Sequence, residues 1–252
     1  MPERIYIDPG HSTVDPGAVG FAVERDLNEK TAKYMHDYLQ KHYICESKID
    51  PVDNNSLKEV ADRANEWKAS LLVSIHNNAG GGDGYEALVY SEARTDLGKI
   101  FEKHVVAIGQ NSRGVKLRPG LYVLKHSNMP AILNEGAFVD NKKDIEDWND
   151  DAELKKLGEA YAKAAAEFLN LKKRAAKVET VNIALPTLAY GRKNDQSVKV
   201  MQTILNMLGF KVGATGNFGE GTKAAVMEAQ KAYGIPVTGK CDAQTWTKIL
   251  GM

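Results

Sequence analysis

Cysteine is nearly missing from this chain of 252 residues: only Cys45 and Cys241 occur, far apart. Two lone cysteines fit a reducing compartment or a fold that needs no disulfide, and they make no metal site by themselves. An excess of either charge is missing too. Thirty-three basic and 33 acidic side chains give a formal net charge of zero. That removes any global electrostatic case for nucleic acid or an anionic membrane as partner. No apolar run approaches the roughly 20 residues of a membrane span, so membrane insertion is not expected. The N-terminus, MPERIYIDPGH, has no basic stretch leading into an apolar one. No signal peptide is therefore readable, and synthesis in the cytoplasm is the expectation.

What is present is ordinary for a soluble globular protein: 43% hydrophobic and 26% charged residues. The length suits one large domain, or one medium and one small. Residues 1–170 alternate short β-like runs with helical patterns. Arg4–Ile7, Leu71–Ile75, Tyr85–Tyr90, Leu121–Leu124 and Ala131–Leu133 read as strands. The spacing predicts helices over Asp26–His42, Asn55–Lys68, Thr95–Gly109 and Asp151–Leu171, with Asn55 or Ser56 as N-cap of the second. The basic Lys172, Lys173 and Arg174 suit the negative end of the last of these helices. Such alternation argues for an α/β domain over 1–171. Periodicity fades over 172–189, which reads as a linker. Residues 190–252 then hold three short helical stretches, Asp195–Leu208, Glu220–Tyr233 and Asp242–Leu250, punctuated by glycines. They predict a second, small all-helical domain of roughly 60 residues, a size that folds alone though marginally.

Six histidines are present. His36, His42 and His104 lie in helical patterns with no evident partner and read as surface or packing residues. His11, in "IYIDPGH", and His76, in "LLVSIHNN", each follow a strand-like run. In an open α/β sheet, ligand groups gather at the carboxyl ends of strands, so two such histidines can meet in space. Glu24, just before the first long helix, offers a third group. A catalytic zinc commonly takes three imidazole or carboxylate ligands and keeps one position for water. The competing reading is two histidines with structural roles. "PAILNEGAFVDN" runs a short strand into Glu135 and Gly136. Glu135 is either a general acid–base group facing a cleft or a salt-bridge glutamate. The run Gly80-Gly81-Gly82-Asp83-Gly84 lacks the Lys-Ser/Thr of a phosphate loop and reads as a mobile loop beside the site.

Taken together, "YIDPGHSTVDPGAVG", "VERDLNEKTAKYMHDYL", "LKEVADRANEWKASLLVSIHNNA" and "PAILNEGAFVDN" resemble the successive motifs of the zinc-dependent N-acetylmuramoyl-L-alanine amidases of the amidase_3 type. The resemblance covers roughly residues 3–170 and implies a twisted mixed sheet flanked by helices. It implies one catalytic zinc ion held by His11, Glu24 and His76, with Glu135 as the catalytic glutamate. It further implies hydrolysis of the amide between N-acetylmuramic acid and L-alanine in bacterial peptidoglycan, hence cell-wall lysis. One departure is visible: the family more often has an apolar residue before this glutamate and Gly-Phe after it, where this chain has Asn134-Glu135-Gly136-Ala137-Phe138. Glu86, in "GYEALVY", which resembles the family's strand after the second histidine, either lines or braces the site or has a structural role, and His126, in "LKHSNMP", is a candidate substrate contact in a loop between strands. The C-terminal stretch is similar to the peptidoglycan-binding type 1 module in Gln202, Gly216, Phe218, Thr222, Gln230, Gly239, Thr245 and Trp246. A catalytic domain with such a module is the architecture of phage endolysins and autolysins, which act at the wall after release. Two rival readings are a zinc peptidase cutting the stem peptide and a non-catalytic wall-binding protein.

Overall fold

The computed structural model describes residues 2–52, 56–174 and 185–251. Contacts divide the chain into two compact units, residues 1–177 and 178–252. The first is built in the order β1 (Arg4–Pro9), α1 (Glu24–His42), β2 (Glu46–Ile49), α2 (Leu57–Glu66), β3 (Leu71–Asn78), β4 (Tyr85–Val89), α3 (Thr95–Val106), β5 (Ser112–Leu117), α4 (Tyr122–Lys125), β6 (Ala131–Phe138), α5 (Lys142–Asp147) and α6 (Asp151–Phe168). Six strands form one sheet in the order β2-β1-β3-β6-β4-β5. The first four strands of that order run parallel, β4 runs antiparallel to β6, and β5 is parallel to β4. The sheet is therefore mixed, and the α/β expectation with a small helical second domain stands.

Strand alternation sorts side chains onto two faces. Ile5, Ile7, Val73, Ile75, Ala87 and Ile132 join the core beneath α1, α3 and α6. Tyr6, Leu72, Leu88 and Leu133 face α2 and α4 instead. Helix α1 is fixed by Leu27, Thr31, Met35 and Leu39, all buried and four residues apart. Truncating a fully buried leucine such as Leu39 to alanine typically costs about 2–5 kcal/mol. Helix α2 starts at Ser56, whose hydroxyl accepts from the Glu59 amide while the Glu59 carboxylate accepts from the Ser56 amide. Asn55, the other expected cap, lies outside the described residues.

Several elements differ from expectation. Leu121–Leu124 is no strand: Tyr122–Lys125 forms a helical turn that buries Val123 and Leu124. So short an apolar run carries no periodicity that separates strand from helix. Strands β2 and β5 and helix α5 were not foreseen, because β2 and β5 are edge strands with half-exposed, polar sequences. Strand β6 runs on through Asn134, Glu135 and Gly136 to Phe138, so Glu135 lies inside the strand rather than at its end. Helix α6 stops at Phe168, and the basic run beyond it does not cap a helix. Its Lys172 carbonyl accepts from the Ile44 amide, and the Arg174 amide donates to the His42 carbonyl.

In the second unit, α7 (Gln196–Met207), α8 (Glu220–Ala232) and α9 (Ala243–Ile249) surround Leu188, Met201, Leu205, Phe218, Val226 and Trp246. Leu188, within the span 172–189, pairs with Cys241 through both backbone amides, and the Trp246 indole donates to the Pro186 carbonyl at 2.9 Å. Residues 175–184 of that span lie outside the described residues. Both cysteines are buried and free.

Candidate metal centre

The turn after β1 sets the first imidazole. The Gly10 amide donates to the Ile75 carbonyl at 2.9 Å, and the Gly10 carbonyl accepts from the buried Asn28 amide at 3.0 Å. His11 follows at φ 74°, a left-handed conformation that a non-glycine residue adopts only when its surroundings hold it there. No side chain fits at Gly10: a Cβ there would stand 2.2 Å from the His76 ring. Gly17 has φ +69°, and its Cβ would stand 2.5 Å from the His11 ring and 2.6 Å from the Glu24 carboxylate. Backbone thus approaches the site where only glycine permits it.

Glu24 is the first residue of α1, not the residue before it, and is buried. A carboxylate is favoured at that helix end, where free amides carry partial positive charge. Its Oε2 accepts from the Ala18 amide at 2.9 Å and lies 3.0 Å from His11 Nε2. Its Oε1 accepts from the Asn77 amide at 3.1 Å and lies 2.9 Å from His76 Nδ1. Burial works against charge on Glu24, but the hydrogen bonds with His11 and His76 win and hold its carboxyl well below the usual range. The same pairing with Glu24, aided by Asp15, pushes His11 up to about 9. His76 sits within β3, not beyond it.

Glu135 lies directly opposite His76 across β3 and β6, and opposite Glu86 across β6 and β4. The three side chains form one row on the face shared with α2 and α4. Glu135 Oε2 is buried with no hydrogen-bond partner. Burial pushes its carboxyl up to about 7, and the negative charges of Glu24 and Glu86 push the same way. Just past Glu135, two steps along β3 oppose three along β6, from His76 and Glu135 to Asn78 and Phe138. This bulge absorbs the extra residue between Gly136 and Phe138 and keeps Phe138 on the face of the row.

The donor atoms suit a cation. One atom each from His11, Glu24 and His76 lie within 4.8 Å of one another, and two imidazoles with one carboxylate are a zinc-type ligand set. His11 Nδ1 lies 3.0 Å from the Asp15 carboxylate, which fixes its tautomer and leaves Nε2 for the site. Beside these groups a cleft of about 540 Å³ is lined by Asp8, Ser12, Asp50, Leu57, Tyr122 and Leu133 among others. The structure thus gathers His11, Glu24, His76 and Glu135. His126 does not line this cleft; it caps α4 and stacks on Tyr122 at 4.1 Å. Glu86 is buried and paired with Arg113 and Lys116. Asp15, Asn28 and Asn77 were missed. Asn28, one helical turn after Glu24, accepts from Asn77 Nδ2 at 2.8 Å and so ties α1 to β3. That spacing from Glu24 was the available signal.

A mixed α/β sheet that brings His11, Glu24 and His76 within reach of one cation, beside the buried Glu135, has the make-up of a metal-dependent hydrolase domain. The family profile described as N-acetylmuramoyl-L-alanine amidase (Amidase_3) matches residues 5–167, and a peptidoglycan binding domain profile (PG_binding_1) matches residues 194–249. The chain belongs to the Amidase_3 family of N-acetylmuramoyl-L-alanine amidases, which is generally zinc-dependent. It is 33% identical over 189 residues to the N-acetylmuramoyl-L-alanine amidase CwlM of Bacillus licheniformis, covering 72% of this chain and 74% of that one. It is likewise 33% identical to the endolysin of Bacillus phage SPP1, over 69% of each. Among solved structures, the N-acetylmuramoyl-L-alanine amidase of Clostridium difficile 630 superposes with a TM-score of 0.64 at 27% identity, over 67% of this chain and 97% of that one. The catalytic domain of CwlV from Bacillus (Paenibacillus) polymyxa gives 0.63 at 26%, over 68% and 99%.

Proposed function

We propose that this chain hydrolyses the amide joining the lactyl group of N-acetylmuramic acid to L-alanine in peptidoglycan. In this reading His11, Glu24 and His76 hold one catalytic zinc ion, and Glu135 is the acid–base group. The observation that carries the reading is the convergence of those three donors beside a buried carboxylate oxygen with no partner of its own. When bound, such an ion supplies Lewis-acid chemistry, polarising a carbonyl and making a water more acidic. The chain does the rest. Asp15 and the Ala18 and Asn77 amides hold the ligands in orientation. Glu135 takes a proton from the attacking water and returns it to the departing amine of L-alanine. The cleft lined by Tyr122, Leu57 and Leu133 takes part of the wall polymer and shields the reacting bond from bulk water.

The proposed division of labour places catalysis in residues 1–171, a linker in 172–189, whose described ends bond to the unit on either side, and wall binding in 190–252. A weak wall-binding module raises the local concentration of the catalytic unit on an insoluble substrate. The test is digestion of purified walls by chelator-stripped and zinc-restored protein, with mass spectrometry of the products. Intact glycan with new L-alanine amino termini, released only after zinc is restored, supports the reading. Cleavage within the stem peptide, or wall binding without any release, overturns it.

A further inference from the structure

Beyond Glu135, the same face of the sheet carries a second charged group that the hydrolytic step does not use. Glu86 is 4% exposed and accepts from two cations, Arg113 Nε at 2.6 Å and Lys116 Nζ at 2.5 Å. Arg113 and Lys116 thus bring two positive charges to the single carboxylate of Glu86. Only the Nε of Arg113 is engaged; among the described residues its terminal nitrogens make no hydrogen bond. The guanidinium lies over the Phe138 ring, 5.1 Å from its centroid, and the Arg113 side chain is 40% exposed. Gly82 packs so closely on the other atoms of that ring that a Cβ would stand 2.3 Å away. Asn78 Nδ2 reaches Glu86 at 3.5 Å. The Arg113 fork is therefore held by its neck, above an aromatic ring, with its outer edge open. That is how an arginine is pre-set for bidentate contact with a planar anion.

The spacing relates this group to the reacting bond. His76 and Glu86 are two strands apart, about 10 Å at the usual strand separation. An extended peptide advances about 3.3–3.6 Å per residue. A stem peptide whose first amide sits at the metal centre and which runs across the strands reaches Arg113 within two or three residues. We infer that Arg113, braced by Glu86 and assisted by Lys116, is a receptor for the free α-carboxylate of the stem peptide's second residue, a glutamate linked through its side chain. The inference rests on the amidase reading above. It makes the enzyme selective: walls in which that carboxylate is amidated lose the contact.

The test compares two soluble muramyl tripeptides with a C-terminal amide, identical except that the second residue is D-glutamate or D-isoglutamine. A charge-assisted contact predicts that zinc-loaded full-length protein prefers the acid by about tenfold or more in kcat/KM, mainly through KM. Arg113→Gln brings the acid-to-amide ratio to within twofold of one, and Arg113→Lys recovers part of it. A purely structural role for Arg113 would lower both substrates together and leave the ratio alone. If the wild type cleaves both at equal rates, or if Arg113→Gln keeps the preference, the receptor is refuted and the amidase reading survives. If neither tripeptide loses its muramyl group, both fall.

Discussion

His76 and Glu135 stand directly opposite each other on adjacent parallel strands, an imidazole beside a carboxylate that has no other partner for one of its oxygens. The pairing places the proposed acid–base group one strand from a proposed zinc ligand without any flexible connection.

Glu135→Gln separates the carboxylate's chemistry from its shape. Loss of a positioned acid–base group typically costs 10²–10⁴-fold, roughly, in rate. The variant is expected to bind zinc like the wild type and to lose hydrolysis by that order. In metal-free protein the substitution also changes stability. The folded state holds the Glu135 proton up to about pH 7, against an ordinary value of 4.5. Stability therefore falls as the pH rises from 4.5 through about 7, by at most on the order of 3 kcal/mol. Urea unfolding of chelated protein at pH 5 and pH 8 should show a smaller loss for the glutamine variant than for the wild type. Equal losses would mean that Glu135 carries no such penalty.

Metal uptake should be steeply pH-dependent. The hydrogen bond to Glu24, together with Asp15, raises His11 from 6.5 to about 9, so the empty site holds a proton at neutral pH. A cation must displace it. Zinc affinity is expected to climb between about pH 6.5 and 9, by about tenfold per unit for each proton released. Titration calorimetry at pH 7.5 in buffers of different ionisation enthalpy should count at least one proton released. A buffer-independent enthalpy contradicts the proton held between His11 and Glu24.

Much of this centre was legible in the sequence, and the reason is local. His11 and Glu24 sit at junctions of strand or loop with a regular element, and His76 lies near the end of β3 just after an apolar run; such positions leave a mark in the residue pattern. What was not legible depends on partners from elsewhere. His36 bonds Ser47 in β2, and His104 pairs with Glu167 in α6, so neither lacks a partner as expected. His42 packs against Tyr38, ring centroids 4.2 Å apart. The glycine after Glu135 suggests a strand end there, and glycine is a weak strand former. Pairing with β3 on one side and β4 on the other overrides that preference. The short helix over Tyr122–Lys125 carries too little pattern in four residues to tell a helix from a strand.

Gly17→Ala tests whether close backbone approach shapes the ligand set. Its positive φ costs a side chain roughly 1 kcal/mol or more, and the new methyl would meet both His11 and Glu24. Displaced ligands and supports typically lose about 10–100-fold in metal affinity. Competition against a chromophoric chelator should show that loss, while thermal unfolding of the metal-free variant shifts by only a few degrees. Unchanged zinc affinity would mean that the loop moves aside without disturbing the ligands.

The last prediction concerns the second unit, where two buried glutamines play matching parts. Gln202 donates to the Thr222 hydroxyl at 2.8 Å and the Asn217 carbonyl at 2.9 Å, and accepts from the Gly216 amide at 2.9 Å. Gln230 donates to the Thr245 hydroxyl at 2.9 Å and the Lys240 carbonyl at 2.8 Å, and accepts from the Gly239 amide at 2.9 Å. Each glutamine thus fastens a glycine turn and the threonine of the following helix. Gln202→Ala leaves the Gly216 amide without its acceptor and the Thr222 hydroxyl and Asn217 carbonyl with only each other, at about 1–3 kcal/mol for a group left unpaired where no water reaches it. A unit of roughly 60 residues has little stability to spare. Calorimetry should therefore show an early transition for the second unit and an unmoved one for the first. Sedimentation with walls should fall, while cleavage of a soluble muropeptide stays within twofold of the wild type. Joint loss of wall binding and soluble-substrate cleavage would mean that the catalytic unit depends on its neighbour's fold, and that the second unit is more than a tether.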